Sequence, residues 1–196
     1  MAKPNGISKS ELIKYAKECL VNKGIENFTL RAVAETAGVT QGTIYYHFRT
    51  KEQLLIDIVQ DICDNSWREI AENKENMMEQ AIASAKSRCS YESFFHKLFI
   101  SLVASSFNND EIRSKLGEII QLENKTLSEK LSNLWMESPI KGVSFETWGI
   151  LLNAVVDGLA LQALLQKDLP IDQIYKELEH FINGLSHLKG VVSKVL

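Results

Sequence analysis

Helix signals recur along the whole chain and nothing opposes them. Its 196 residues include only three prolines (Pro4, Pro139 and Pro170), and no segment alternates polar and apolar residues at period two. An all-α fold is what such a pattern leaves open. The first helix is expected to open at Ser8, with Glu11 three residues on as a capping box, and to carry the stripe Leu12, Ala16, Cys19 and Leu20 as far as Gly24. Thr29 can cap a second helix through Leu30, Val33, Ala34 and Ala37, with Gly38 just past its end, where a left-handed turn suits glycine. Thr40 can cap a third, very short helix on which Ile44 and Phe48 share a face. Thr50 with Gln53 repeats the capping-box pattern ahead of a long helix through Leu54, Leu55, Ile58 and Ile62.

Beyond residue 74 the signals weaken. The polar run 73–76 is either a break or part of a kinked helix that reaches Ser90. Helices are expected over 91–107, 111–119 and 122–136, a loop over 138–142, and two last helices over 145–166 and 170–188. The expected division is an N-terminal helix-turn-helix domain over 1–51 and a helical bundle over 52–196.

Charge separates the same two regions. Residues 1–51 hold eight Lys or Arg against four Glu, a local balance of +4; with −3 overall, the remainder carries −7. A basic head on an acidic body suits an anionic partner for the head alone. No apolar run is expected to reach the ~20 residues of a membrane helix, and the N-terminus has no apolar stretch of the signal-peptide kind. Cys19, Cys63 and Cys89 form neither a CxxC pair nor a disulfide framework, and read as reduced core thiols in a cytoplasm. No group of carboxylates, histidines or cysteines has metal or catalytic spacing, so neither an enzyme, a cofactor nor a metal is expected.

The stretch 29–51 is the informative one. Two helices joined by Ala37, Gly38 and Val39, apolar only where they meet each other and the first helix, form a helix-turn-helix. With Ile44 and Phe48 as anchors, ~100° per residue turns Gly42, Thr43, Tyr45, Tyr46 and Arg49 away from the core. That outer face is poor helix chemistry and good DNA chemistry. Glycine permits close approach to a groove wall, hydroxyls donate to phosphates or base edges, and Gln41 can bond adenine at two points.

The run from Thr29 through Ala37-Gly38-Val39-Thr40-Gln41-Gly42-Thr43-Ile44-Tyr45-Tyr46-His47-Phe48 to Lys51 and Leu55 resembles the DNA-binding region of the TetR family of transcriptional regulators. The resemblance covers about the first quarter of the chain. It implies that Gln41, Gly42, Thr43 and Tyr45 reach base edges or the groove of a near-palindromic duplex, and that Thr29, Arg31, Thr40, Tyr46, His47 and Lys51 touch phosphates. Thr29 and Thr40 also read as plain helix caps, and His47 as a packing residue. It further implies a repressor whose last two helices form a four-helix dimer interface and whose bundle receives a small-molecule effector.

Two features of the bundle meet those expectations. The segment 145–166 is apolar nearly all round: Trp148, Leu152, Val155, Leu159 and Ala163 lie on one side, and Leu151, Ala154, Leu161 and Leu165 on another. Such a helix must be covered twice, once by its own bundle and once by a second subunit, with Phe181 and Leu185 of the last helix sharing that interface. The middle of the chain is rich in soft, large side chains, which are either core or the lining of an adaptable pocket. Trp67, Phe95, Phe99, Trp135 and Trp148, with His96, Glu123 and Asn153 as polar partners, are the candidate pocket residues.

Overall fold

The structure is a computed structural model that describes residues 6–72 and 77–187. Among these residues there are nine helices and no strand: α1 Lys9–Lys23, α2 Leu30–Ala37, α3 Gln41–His47, α4 Lys51–Glu72, α5 Met77–Arg88, α6 Phe94–Ser106, α7 Asp110–Trp135, α8 Phe145–Leu165 and α9 Ile171–His187. The polar run 73–76, read as either a break or part of a kinked helix, and residue 188, the expected end of the last helix, lie outside the described residues.

The chain forms two compact units. The first takes the described residues up to Asn65 together with Lys97–Gly117; the second takes Ser66–His96 and the residues from Glu118 onward. This differs from a division after residue 51, because α4 continues the first unit as far as Asn65 and a later segment joins it. Within the first unit, the capping box of α1 is complete: the Ser8 N–H donates to Glu11 Oε2 at 2.9 Å, and the Glu11 N–H donates to Ser8 Oγ at 3.2 Å. These bonds hold the Glu11 carboxyl below its usual pKa. Leu12, Ala16, Cys19 and Leu20 are buried as one stripe, joined by Ile13. Lys9 pairs with Asp57 at 2.8 Å and Lys17 with Asp61, which ties α1 to α4. At the start of α4 only half of the expected box forms. Thr50 Oγ1 accepts from the Gln53 N–H at 3.0 Å, while the Gln53 side chain turns forward to Asp57 Oδ1.

In the second unit, Leu131, Trp135, Trp148, Leu152, Ile182 and Leu185 make one core cluster. Ala85, Cys89, Ala160, Ala163 and Tyr175 make another. The rings of Trp135 and Trp148 meet edge to face, with centroids 5.4 Å apart. These two tryptophans are core residues, as is Leu185, which is 4% exposed; packing inside the protomer removes Leu185 from any outer surface. Where helices over 111–119 and 122–136 were expected, α7 is continuous. Ile112, Leu116 and Ile119 are buried in its first half and Ser128, Leu131 and Trp135 in its second, and the helix runs on through the polar residues around Gln121.

The expectation that no apolar run approaches membrane length is corrected by α8, which is long and apolar enough to cross a membrane by length and composition. One of its faces packs inward through Trp148, Gly149, Leu152, Ala160 and Ala163. Val155, expected on that inner side, lies instead among the exposed apolar residues Ile150, Leu151, Leu161 and Leu165.

Gly149 sets how closely α7 and α8 approach. A Cβ there would sit 2.5 Å from the Asn124 carbonyl oxygen and 3.1 Å from the Ser128 amide nitrogen. Backbone cannot yield as a flexible side chain can. Gly149→Ala is therefore expected to cost roughly 1–3 kcal/mol of unfolding free energy. Gly117→Ala, exposed on α7 with nothing within 4 Å of the added carbon, should gain roughly 0.5–1 kcal/mol. Urea denaturation of the two variants distinguishes them, and equal effects would show the α7–α8 crossing to be soft.

Candidate nucleic-acid interface and ligand crevice

Every step of the α2–α3 turn is held by a hydrogen bond the sequence supplies. Thr29 Oγ1 accepts from the Ala32 N–H at 3.0 Å and opens α2. Gly38 takes the left-handed conformation (φ 63°, ψ 29°) at its end, and the Val39 N–H reaches back to the Ala34 carbonyl at 3.0 Å. That reversal leaves Thr40 extended, so its hydroxyl accepts from the Thr43 N–H at 3.3 Å and starts α3. Ile44 and Phe48 are fully buried. The opposite face is open: Tyr46 is 84% exposed, Tyr45 54%, and Gln41, Gly42 and Arg49 are exposed with them.

Packing does not require the glycine at Gly42. An added Cβ would meet only Thr40 Oγ1, at an ordinary 3.6 Å. Glycine in a helix costs about 1 kcal/mol relative to alanine, and nothing within the protomer offsets that here. Three of the expected phosphate contacts, by contrast, have structural roles within the protomer. His47 is half-buried, its ring edge-on to Tyr46 at 5.1 Å. The Lys51 ammonium donates to the Ile25 carbonyl at 3.2 Å and lies 5.9 Å from the Phe28 ring. Arg31 Nε donates to Glu35 Oε1 at 3.0 Å, one turn along α2. Part of the positive balance counted over 1–51 is likewise matched locally, since Asp57 and Asp61 of α4 face Lys9 and Lys17.

The second unit holds a narrow crevice, with about 70 Å³ open to water. It brings together three of the expected residues: Trp67, Glu123 and Asn153. Trp67 Nε1 donates to Glu123 Oε1 at 2.5 Å, and Asn153 Nδ2 donates to Asn124 Oδ1 at 2.8 Å. Ile70, Met78, Ile82, Leu127, Leu152 and Leu178 supply apolar wall. Phe95, His96, Trp135 and Trp148 do not line it, and Phe99 belongs to the first unit. His96 Nδ1 lies 2.9 Å from the Arg88 carbonyl, and burial lowers its pKa to about 4. A neutral imidazole joining the end of α5 to the start of α6 is a fold residue.

Arg88 and Tyr175, which no sequence pattern marked, do line the crevice. Beside them Asp157 is half-buried. Its carboxyl is pushed up to about 6 by burial and then by the Glu123 charge, against a lowering by Arg88. Among the described residues, no group of three His, Cys, Asp or Glu could hold a metal ion.

A sequence profile described as "Bacterial regulatory proteins, tetR family" matches residues 12–58, which span α1 to the first turns of α4. The transcriptional repressor KstR2 of Mycolicibacterium smegmatis is 25% identical over 171 residues, covering 86% of this chain and 72% of the relative. The transcriptional regulator TtgR of Pseudomonas putida is 26% identical over 179 residues, covering 82% of each. In fold, a transcriptional regulator from Rhodococcus sp. RHA1 superposes with a TM-score of 0.66 at 21% identity, over 94% of this chain and 97% of that one. With the turn, caps, anchors and open face of α3 all inside the matched region, the chain is a DNA-binding transcriptional regulator whose residues 12–58 form a helix-turn-helix of the tetR type.

Proposed function

We propose that this regulator is a cytoplasmic repressor, a homodimer that holds a near-palindromic operator and is released from it by a small-molecule effector. The observation that carries the DNA half is α3. Two tyrosines, a glycine and a glutamine face outward from a helix whose only buried side chain is Ile44, steadied by Phe48 just beyond its end. Gln41, Gly42, Thr43 and Tyr45 are assigned to the groove. Thr29, Arg31, Thr40, Tyr46, His47 and Lys51 are assigned to phosphates, with the two threonines serving as caps at the same time. Similarity to a relative named as a repressor favours that direction of control.

The dimer surface is assigned to the outward faces of α8 and α9: Leu151, Ala154, Leu161, Leu165 and Phe181, with Leu165 74% and Phe181 54% exposed. Two helix-turn-helix units must span half-sites about one helical turn of DNA apart, so dimerisation is a condition of operator binding. The crevice around Trp67, Glu123 and Asn153 is assigned to the effector. Trp67 and Lys51 both belong to α4, so a ligand that displaces that helix at Trp67 bears on its phosphate-facing start.

Three measurements test this reading. Tyr46→Ala should leave unfolding free energy within ~0.5 kcal/mol yet weaken binding to every duplex, whereas Gln41→Ala should lose roughly 1–3 kcal/mol of discrimination at one base per half-site. Equal loss by Gln41→Ala on operator and random DNA would remove Gln41 from base readout. Leu161→Glu should give monomers in sedimentation with melting intact, and operator affinity should collapse; Leu185→Glu, placing charge in the core, should unfold the protomer instead. Once an effector is found, saturating operator should weaken its binding by the factor with which it weakens DNA binding, about 1–3 kcal/mol of coupling. Identical effector affinities with and without operator would end the sensor half of the proposal.

A further inference from the structure

Seven lysines and arginines lie among the described residues of 6–51, and six of them are engaged within the protomer. Lys9, Lys17, Lys23 and Arg31 each pair with a carboxylate, and Lys51 donates to the Ile25 carbonyl. Lys14 acts on Glu11, whose carboxyl the Ser8 hydrogen bonds, and after them Lys14, hold below its usual pKa. The seventh, Arg49, is exposed and has no hydrogen bond, ion pair or ring contact among the described residues. An exposed cation is ordinary on a protein surface; the place of this one is not. Phe48 closes α3 with its N–H on the Ile44 carbonyl at 2.8 Å, its side chain fully buried and its backbone extended (φ −134°, ψ 106°). Extended backbone sends successive side chains to opposite sides, so burial of Phe48 turns Arg49 outward, three residues from the exposed ring of Tyr46. Thr50 is fixed in turn as it opens α4, its hydroxyl accepting from the Gln53 N–H at 3.0 Å. Arg49 thus projects from a link held at both ends, and little of its backbone remains to be ordered on binding.

We infer that Arg49 grips a DNA phosphate at the groove wall, and that it contributes more affinity than Arg31 or Lys51. This rests on α3 being the helix that enters the groove. A recognition helix meets base edges with its N-terminal residues. Arg49 lies past the C-terminal end of α3, so the sugar-phosphate backbone rather than the bases is within its reach. A guanidinium can give one phosphate two parallel N–H bonds. Arg31 must leave Glu35, and Lys51 the Ile25 carbonyl and the Phe28 ring, before either serves a phosphate. Arg49 gives up no such partner among the described residues.

The test is fluorescence anisotropy on the full chain across a series of salt concentrations. The probes are a duplex that the wild-type chain selects from a random pool and a scrambled duplex of the same length. Arg49→Gln should weaken binding to both by the same factor, roughly ten-fold, with the melting temperature unchanged. The slope of log affinity against log salt should shrink by about one for each protomer bound. Arg31→Gln should cost less than Arg49→Gln. Arg49→Lys should keep the slope yet recover only part of the affinity, since an ammonium cannot present the guanidinium fork. Wild-type affinity and slope in Arg49→Gln would overturn the assignment and leave the DNA reading standing. A loss confined to the selected duplex would make Arg49 a base reader and remove the phosphate role. Full recovery by Arg49→Lys would remove the two-point grip, and an equal loss in Arg31→Gln the ranking. A wild-type chain that selects no duplex from the pool overturns both this inference and the DNA reading beneath it.

Discussion

Seven residues are too few to hold a helix in water, since nucleation is unfavourable and α3 closes barely two turns. It persists because Ile44 and Phe48 are buried completely against the rest of the first unit, and because Thr40 satisfies its first turn. Every feature that makes the outer face useful works against the helix itself. Gly42 lacks a side chain to stiffen it, Tyr45 and Tyr46 expose rings to solvent, and Thr43 is β-branched. The anchors and the Thr40 cap therefore hold the reading surface together. Gly38 carries its direction, because no residue with a Cβ takes that left-handed turn as readily.

The second unit depends on a different kind of contact. At Gly149 the backbones of α7 and α8 come close enough to exclude even a methyl group, and one turn on Asn153 bonds Asn124 across the same crossing. That approach brings Glu123 and Asp157 near enough for one carboxyl to feel the other's charge. Close packing and buried charge are thus parts of one arrangement: loosening the crossing would separate the acids as well as lower stability.

The head of the chain was legible in the sequence because its information is local. Caps at Ser8, Thr29 and Thr40, the turn at Gly38 and the pair Ile44–Phe48 each act within a few residues, and each is found where the pattern puts it. The crevice was not legible in that way. Trp67, Glu123 and Asn153 were named for their chemistry, but Trp135, Trp148 and His96 have the same chemistry and lie in ordinary packing. Only the tertiary fold tells these groups apart. Tyr175 and Arg88 carried no signal, since one tyrosine on an amphipathic helix and one arginine at a helix end are common. Gly149 looked like any helical glycine, because the atom it avoids belongs to Asn124, 25 positions earlier.

α8 carries apolar residues outward as well as inward, unlike an ordinary surface helix. Two of its polar groups are half-buried: Asn153 has Asn124 and Asp157 has Glu123 and Arg88 as neighbours, while Glu146, Thr147 and Gln162 are exposed. Its apolar groups Ile150, Leu151, Val155, Leu161 and Leu165 face out. Length and composition alone would also suit a membrane span. A span in lipid must however satisfy every polar group internally and carries ionisable ones only where they serve a pathway. Here the outward apolar face is limited to one side, and the acid Asp157 is half-buried with Glu123 and Arg88 as its charged neighbours in the same bundle. An exposed apolar patch of this kind suits contact with another protein better than a span in lipid. Phe181 of α9 adds to the exposed apolar surface, and the proposed homodimer requires only a second copy of these same residues to cover it.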